Sequence, residues 1–314
     1  MAHSHNITHR DVMASLPPDV LAHLKLLSDG PGLLHLAGHL ALLALTGTAV
    51  LLAPNPLLLV LAMLVHGIVL VFLFTLEHEC IHGTAFRTSW LNTVCADVAG
   101  FLLLMPPRYF RYFHFAHHRH TQDPDNDPEL AEPRPYDLKS YAWYLSGIPY
   151  WRANLTAVFT NAVGRTLPNF VVGAARGVVT EARVYIALWL VLLLASLAFG
   201  WTWPLTLWII PALLGQPFLR AFLLAEHAAC PAVSNMLENS RTTIAGRLIR
   251  FLSWNMSFHA AHHAIPTVPF HRTRDLTFLI AEHLKVTSVG YVAAHREIRA
   301  AWAEDQEEDL EPSL

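Results

Sequence analysis

Two long stretches of the chain contain no charged residue, and they dominate its hydrophobic pattern. Residues 30–76 and 184–219 hold no Asp, Glu, Lys or Arg. A helix crosses the roughly 30 Å hydrocarbon core of a bilayer with about 20 apolar residues, so each stretch is long enough for two spans. The spans are predicted at about 32–53, 57–76, 184–201 and 204–224.

Turn residues divide each stretch in the middle. Ala53-Pro54-Asn55-Pro56 interrupts the first, and Gly200-Trp201-Thr202-Trp203-Pro204 interrupts the second. Proline breaks a helix, and indole rings favour the membrane interface, so one long helix per stretch is the weaker interpretation. The pattern predicts four transmembrane helices in two hairpins.

Composition agrees with a membrane protein. Hydrophobic residues make up 54% of the chain and charged residues 14%, against about 25% charged in ordinary soluble domains. The net charge is −3 and there is no basic patch. These values exclude a soluble globular protein, a disordered protein and a nucleic-acid-binding protein, and they indicate an all-α integral membrane protein.

The positions of Lys and Arg predict the orientation. All 21 lie before residue 30, within 77–183 or after 219, and two-span hairpins place those regions on one side. The positive-inside rule makes that side the cytoplasm. We therefore expect a cytoplasmic N-terminal tail (1–30), a membrane domain (31–280) with a cytoplasmic helical cap, and a cytoplasmic C-terminal helix with an acidic tail (281–314).

Histidine carries the candidate chemistry. The chain has twenty histidines. Eight of them form three clusters with helical spacing, and a single histidine follows the fourth span. Residues three and four apart share one face of a helix, so each cluster would form one imidazole patch. The clusters are His78/His82, His114/His117/His118 and His259/His262/His263, and the single residue is His227. Imidazole suits iron, zinc and copper, and eight or nine ligands imply two metal ions rather than a coincidence of surface residues.

Other residues near the clusters are weaker candidates for a role in metal binding. Carboxylates such as Glu79 and Glu226 could accept the outer N–H of a ligating imidazole, although acidic residues are also common at membrane interfaces. Asn255 precedes His259 by one helical turn, and His120 lies one residue beyond the face of the second cluster. These four residues, Glu79, Glu226, Asn255 and His120, are possible supports of the metal ligands.

Three further patterns have structural interpretations. His35 and His39 also read HxxxH, but inside the first span, so we expect helix packing to satisfy them. Asp123, Asp125 and Asp127 suggest a calcium loop, yet Pro128 stands where such a loop requires glycine, which indicates a structured turn. Arg108, Arg111 and Arg119 lie among aromatic residues and could anchor the chain at the membrane or hold a phosphate or an acidic redox partner.

The order and surroundings of the histidine clusters resemble the membrane fatty acid desaturase family. HxxxH is followed after about thirty residues by HxxHH, and a distant HxxHH follows the second hairpin. The flanks agree too, in 117–124, in Glu226-His227-Ala228-Ala229-Cys230-Pro231 and in 254–271. The third cluster begins with His rather than Gln, which by the same resemblance argues against the front-end desaturases.

The resemblance implies a non-haem di-iron centre that uses O₂ and two electrons to introduce a double bond into a fatty-acyl or other lipid-like substrate. It implies nine ligands: His78, His82, His114, His117, His118, His227, His259, His262 and His263. Residues 1–30 and 280–314 are too short for a haem domain, so the expected electron donor is a separate ferredoxin or cytochrome b5-like protein. A hydroxylase or ketolase on the same scaffold is the alternative, and a membrane metal transporter is a remote one.

Overall fold

The computed structural model describes residues 7–165 and 167–308, without the side chains of Val172 and of residues 303–308. The first six residues of the expected N-terminal tail and the last residues of the acidic tail lie outside this range. The described part of the chain is mostly helical, as the sequence predicts.

The described residues contain fifteen α-helices and two short strands. The helices are α1 His9–Ser15, α2 Pro18–Leu24, α3 Asp29–Leu51, α4 Pro56–Val71, α5 Leu73–His82, α6 Ser89–Leu103, α7 Pro107–His120, α8 Leu138–Leu145, α9 Ile148–Val163, α10 Ala175–Phe199, α11 Ile210–His227, α12 Arg247–Leu252, α13 His259–Ala264, α14 Phe270–Leu279 and α15 Tyr291–Glu308. The strands are β1 Thr242–Ile244 and β2 Thr287–Val289, and a π-helical turn, Leu205–Ile209, precedes α11.

Four helical stretches are long and apolar enough to cross a membrane, in agreement with the four predicted spans. They are Pro18–Leu51, Pro56–His82, Ala175–Phe199 and Leu205–His227. The breaks occur where the sequence places turn residues. The side chain of Asn55 accepts a hydrogen bond from the backbone N–H of Leu58 and begins α4, and Gly200 ends α10 in the left-handed conformation at φ 66°.

One bent helix pair was not predicted. Helices α6 and α7 together are also apolar enough to span a membrane, but they meet at an angle of 95°. Leu104 adopts a left-handed φ of 56°, and two prolines, Pro106 and Pro107, follow it. Proline cannot donate the hydrogen bond that would continue a helix, so α7 starts in a new direction. This bend begins the helix that carries the second histidine cluster.

The chain folds as two compact units. The first unit contains the chain up to Leu27, His117–Ala142 and Ala221 onward, and the second contains Ser28–Ala116 and Trp143–Arg220. In the first unit, Val12 and Leu24 from the two N-terminal helices pack with Leu237, Ala261 and apolar residues of α14. Strands β1 and β2 pair in parallel in this unit, with Thr243 opposite Ser288.

The second unit contains α3–α6, α9 and α10. Its helices approach closely where side chains are small. A Cβ atom on Gly67 of α4 would lie only 1.8 Å from the carbonyl oxygen of Pro211, and one on Gly215 would lie 2.2 Å from the carbonyl carbon of Gly67. Such small-residue contacts let membrane helices pack backbone against backbone.

Candidate metal centre

Four buried histidines of the first unit turn one ring nitrogen each toward a common point. His117 lies in the last turn of α7, His227 is the last residue of α11, and His259 and His263 lie one turn apart on α13. The Nε2 atom of His227 is 3.1 Å from Nε2 of His117 and 2.9 Å from Nε2 of His259. We call His117, His227, His259 and His263 the histidine tetrad.

The other ring nitrogen of each tetrad histidine faces an oxygen atom. The Nδ1 atom of His117 is 2.9 Å from Oδ1 of Asp127, and that of His227 is 3.0 Å from the carbonyl oxygen of Asn239. In the same way, Glu226 Oε1 lies 3.3 Å from Nδ1 of His259, and the Thr121 hydroxyl lies 3.3 Å from Nδ1 of His263. Metal-binding histidines have this pattern, because the outer contact sets the tautomer and the ring orientation.

A hydrogen-bonded turn holds the Asp127 carboxylate in place. Its two oxygens accept hydrogen bonds from the backbone N–H groups of Gln122 and Glu129, at 2.9 and 3.0 Å. Burial alone would raise the pKa of Asp127, but the hydrogen bond from His117 and these backbone bonds outweigh it and keep the pKa below its usual value. Asp127 is therefore an anion at neutral pH, suited to accept a hydrogen bond from the Nδ1–H of His117.

The tetrad fits a metal ion. All four candidate ligand nitrogens lie within 4.8 Å of one another. Two nitrogens at right angles around a metal, each about 2.1 Å from it, are about 3 Å apart, which agrees with the two distances at His227. Nε2 of His263 is buried and makes no hydrogen bond within the described residues. A buried nitrogen without such a bond is costly unless it binds something else.

Three further histidines meet in the second unit. His78 and His82 are one turn apart on α5, and His114 faces them from α7, with ring centroids 4.5–5.0 Å apart. His78 is completely buried. Its Nδ1 atom lies 3.5 Å from Oε1 of Glu79, whose other carboxylate oxygen accepts a hydrogen bond from Thr84. We call His78, His82 and His114 the histidine triad.

The remaining two predicted ligands form a pair in the first unit. Nε2 of His118 is 3.1 Å from Nε2 of His262, and the His118 ring stacks on His263 with a centroid distance of 4.1 Å. His114 and His118 lie one turn apart on α7, as the helical spacing predicts. All nine predicted ligands thus belong to the tetrad, the triad or this pair.

The four possible supporting residues have different surroundings. Glu226 and Glu79 each contact a histidine, as described above. His120 is partly exposed, and its Nδ1 atom lies 3.8 Å from Asp123 Oδ2. The side-chain amide of Asn255 donates to the carbonyl oxygen of Phe270, at 3.0 Å.

Sequence reasoning missed three of the outer contacts. The predicted turn around Asp123–Asp127 is present, but its role in orienting His117 through Asp127 was not predicted. A buried carboxylate ten residues after a candidate ligand was the available signal. The Thr121 hydroxyl gave no such signal, because His263 is 142 residues away in the sequence, and the Asn239 contact gave none, because every residue has a backbone carbonyl.

The intramembrane histidines have ordinary partners, as expected for His39. Its Nε2 atom lies 2.9 Å from the carbonyl oxygen of Val69. The two nitrogens of His66 lie 2.8 Å from the Thr46 hydroxyl and 3.0 Å from the carbonyl oxygen of Leu207. These histidines therefore bond to residues of neighbouring helices.

The sequence of this chain is similar to a known protein family. Residues 54–295 match the family model of the fatty acid desaturases. The chain is 29% identical over 158 residues to an sn-1 oleoyl-lipid 12-desaturase of Picosynechococcus, covering 48% of this chain and 44% of that protein. It is 25% identical over 288 residues to the Delta(12) fatty acid desaturase FAD2 of Calendula officinalis, covering 80% and 74% of the two chains.

A further relative is an sn-1 oleoyl-lipid 12-desaturase of Arthrospira platensis, 23% identical over 245 residues that cover 67% of this chain and 65% of the relative. The matched region is less than half of the Picosynechococcus protein but about three quarters of the Calendula protein. The family match extends over most of the chain. This protein therefore belongs to the fatty acid desaturase family.

Proposed function

We propose that this protein is an O₂-dependent di-iron desaturase that introduces a double bond into a fatty-acyl or other lipid-like substrate. The observation that carries the proposal is the histidine tetrad, in which one nitrogen of each ring converges on a common point and the other faces an oxygen. The relatives are named as desaturases of oleoyl lipids and fatty acids, which favours a double bond over a hydroxyl or keto product.

We propose that the nine histidines hold two iron ions. The tetrad supplies four ligands for one ion, and the other five predicted histidines remain the candidate ligands of the second. Imidazole suits iron, zinc and copper alike, and the family membership favours iron. Bound iron would supply the chemistry of O₂ activation and C–H bond cleavage that side chains lack.

The side chains around the histidines would then orient and protect the ligands. Asp127 and the Asn239 carbonyl hold the Nδ1–H tautomers of His117 and His227, which leaves both Nε2 lone pairs for metal. Glu226 and Thr121 lie where they can do the same for His259 and His263. Burial of all four rings keeps bulk water away from the site.

The overall reaction requires an electron donor. Converting –CH₂–CH₂– to –CH=CH– releases two electrons and two protons, and reducing O₂ to two waters consumes four of each. The missing two electrons would come from a separate donor protein, a ferredoxin or a cytochrome b5-like carrier, and the missing two protons from solvent.

We also propose a membrane arrangement from the charge pattern. The four candidate spans would form two hairpins, with both termini and all histidine clusters on the cytoplasmic side as a helical cap. The segments that join the paired spans contain no Lys or Arg, and all 21 lie before residue 30, within 77–183 or after 219. That asymmetry supports the cytoplasmic placement.

Lipid analysis of cells that express the chain tests the proposed function. The protein is expressed together with a ferredoxin or a cytochrome b5 and the matching reductase, and the fatty acids are identified by mass spectrometry. We expect new double bonds that disappear when His259 is replaced by Ala. A new hydroxyl or keto group without new unsaturation would contradict the desaturase assignment, and metal uptake without O₂ consumption would indicate a transporter.

A further inference from the structure

A cavity of about 840 Å³ is lined only by residues of the second unit. Helices α6 and α10 form its walls, and Arg108 at the start of α7 closes one end. None of the predicted metal ligands lines it, so the proposed reaction does not explain it.

One end of the cavity is polar and contains two arginines. The guanidinium of Arg108 lies against α10 because residue 177 is glycine: a Cβ atom there would be 2.9 Å from Nη1 of Arg108. Glu181 accepts the backbone N–H of Arg108 at 3.0 Å and lies 3.8 Å from its Nε atom. Arg176 also lines this end and has no acidic partner within the described residues.

The other end of the cavity is apolar. Phe101 and Leu102 of α6 line it together with Val184 and Leu188 of α10. Leu188 is twelve residues after Arg176, which corresponds to about 18 Å along a helix. The lining therefore changes from charged to hydrocarbon-like over a distance comparable to that between a lipid headgroup and the centre of the bilayer.

We propose that this cavity binds one phospholipid, with its phosphate between Arg108 and Arg176 and an acyl chain along α10. Guanidinium groups bind phosphate oxygens through charge-assisted hydrogen bonds, and two arginines can share one phosphate. Arg176 is the second residue of a candidate membrane span, at the level where lipid headgroups occur. This binding requires no catalysis and goes beyond the proposed desaturase reaction.

Asp97 also lines the cavity and provides a test of the sign of the ligand's charge. Its carboxylate would repel a phosphate at this end. Replacing Asp97 with Asn should therefore increase phospholipid binding, whereas a site for a cationic ligand would respond in the opposite direction.

Native mass spectrometry of the purified chain tests the proposal without any activity measurement. The detergent-solubilised protein is incubated with 1-palmitoyl-2-oleoyl phosphatidylglycerol or with the diacylglycerol that has the same chains. We expect one retained phospholipid and no retained diacylglycerol. R176Q should weaken phospholipid retention about tenfold or more, because it removes a charge-assisted contact.

Arg183 provides the matched control, since it lies on the same helix outside the cavity, where its Nε atom donates to the carbonyl of Ala162 at 2.8 Å. R183Q should retain the phospholipid as the wild-type chain does. Equal loss in R176Q and R183Q, or equal retention in both, would mean that only non-specific boundary lipid is bound and would overturn the proposal.

A second pair of variants tests the apolar end. L188W fills the cavity and should reduce retention, whereas L190W, at a half-exposed position of α10 outside the cavity, should not. Thermal unfolding of each variant identifies any that fail to fold. A folded L188W that retains the lipid as tightly as L190W would contradict the proposed position of the acyl chain.

Discussion

Two groups of buried histidines in this protein differ in the partners of their ring nitrogens. His66 represents the histidines of the predicted spans, and the tetrad lies in the first unit, but His66 and the tetrad are almost completely buried. Both nitrogens of His66 face oxygen atoms of the protein. In the tetrad, only one nitrogen of each ring faces an oxygen, and the other lies within 4.8 Å of the other three ligand nitrogens.

This difference separates a packing role from a ligand role. A histidine with two oxygen partners is satisfied, and a metal would have to break one of those hydrogen bonds to bind. A ring that keeps one nitrogen for other imidazoles is oriented for a shared ion. Burial and residue type are the same in both groups, so the partner of the second nitrogen is the informative observation.

The largest effect is expected from replacing a tetrad histidine. H259A should lower desaturation more than about a hundredfold, since loss of an outer contact alone costs 10–100-fold in such sites. It should also lower the iron content of the purified protein, measured by elemental analysis. H283A is the control, because His283 lies in the same unit and its Nε2 atom faces Glu282. Normal iron content in H259A would mean that the tetrad histidines are packing residues like His66 and not metal ligands.

The predicted ligands outside the tetrad should behave like the tetrad histidines if they also bind iron. Replacing His82, His118 or His262 with Ala should abolish activity while the protein remains in the membrane fraction. Product analysis and immunoblotting of membranes measure the two quantities. Any one of these variants with near-normal turnover would exclude that residue as a ligand.

Replacing the outer partner should have an intermediate effect. D127N removes the negative charge that faces Nδ1 of His117, and we expect a 10–100-fold loss in metal affinity or activity. D125N is the matched control, because Asp125 is an exposed aspartate of the same turn. Similar activity in the two variants would mean that Asp127 only stabilises the turn.

An intramembrane histidine should affect stability rather than metal. H66L leaves the carbonyl of Leu207 without its hydrogen bond, which should cost about 1–3 kcal/mol of folding free energy. Thermal unfolding measures this loss, and elemental analysis should find the iron content unchanged. Loss of iron at normal stability would instead place His66 among the groups that support the metal.

The smallest effect is expected at His120. Its ring is partly exposed and its nearest acidic group, Asp123, is 3.8 Å away. H120A should change turnover by less than about twofold, since exposed ion pairs contribute little. A tenfold loss in product formation would show that the helical face of the second cluster extends further than the structure indicates.

Much of the fold was predictable because the membrane imposes simple rules. The absence of charge from 30–76 and 184–219 predicted four spans, since charged groups are costly in hydrocarbon. The bend between α6 and α7 was not predicted, although Pro106 and Pro107 mark it. Its angle depends on packing rather than on the local sequence.

The candidate site was predictable to the level of residue type. Helical spacing identified eight histidines and the end of the fourth span added His227, and the structure places each of the nine beside at least one other. The outer partners were harder to predict, because Thr121 is 142 residues from His263 and the Asn239 contact uses a backbone carbonyl, which every residue has. Local periodicity contains no information about such contacts.

The sequence by itself determined the membrane-protein class, the four apolar helices and the histidine clusters, because these depend on composition and on periodicity within single helices. Only the tertiary structure decided which histidines share a centre and which are satisfied by packing. The reason is physical: a helix places residues on a face, but the partner of each ring nitrogen comes from another segment of the chain. His39 and His82 each end an HxxxH motif, and only their surroundings distinguish them.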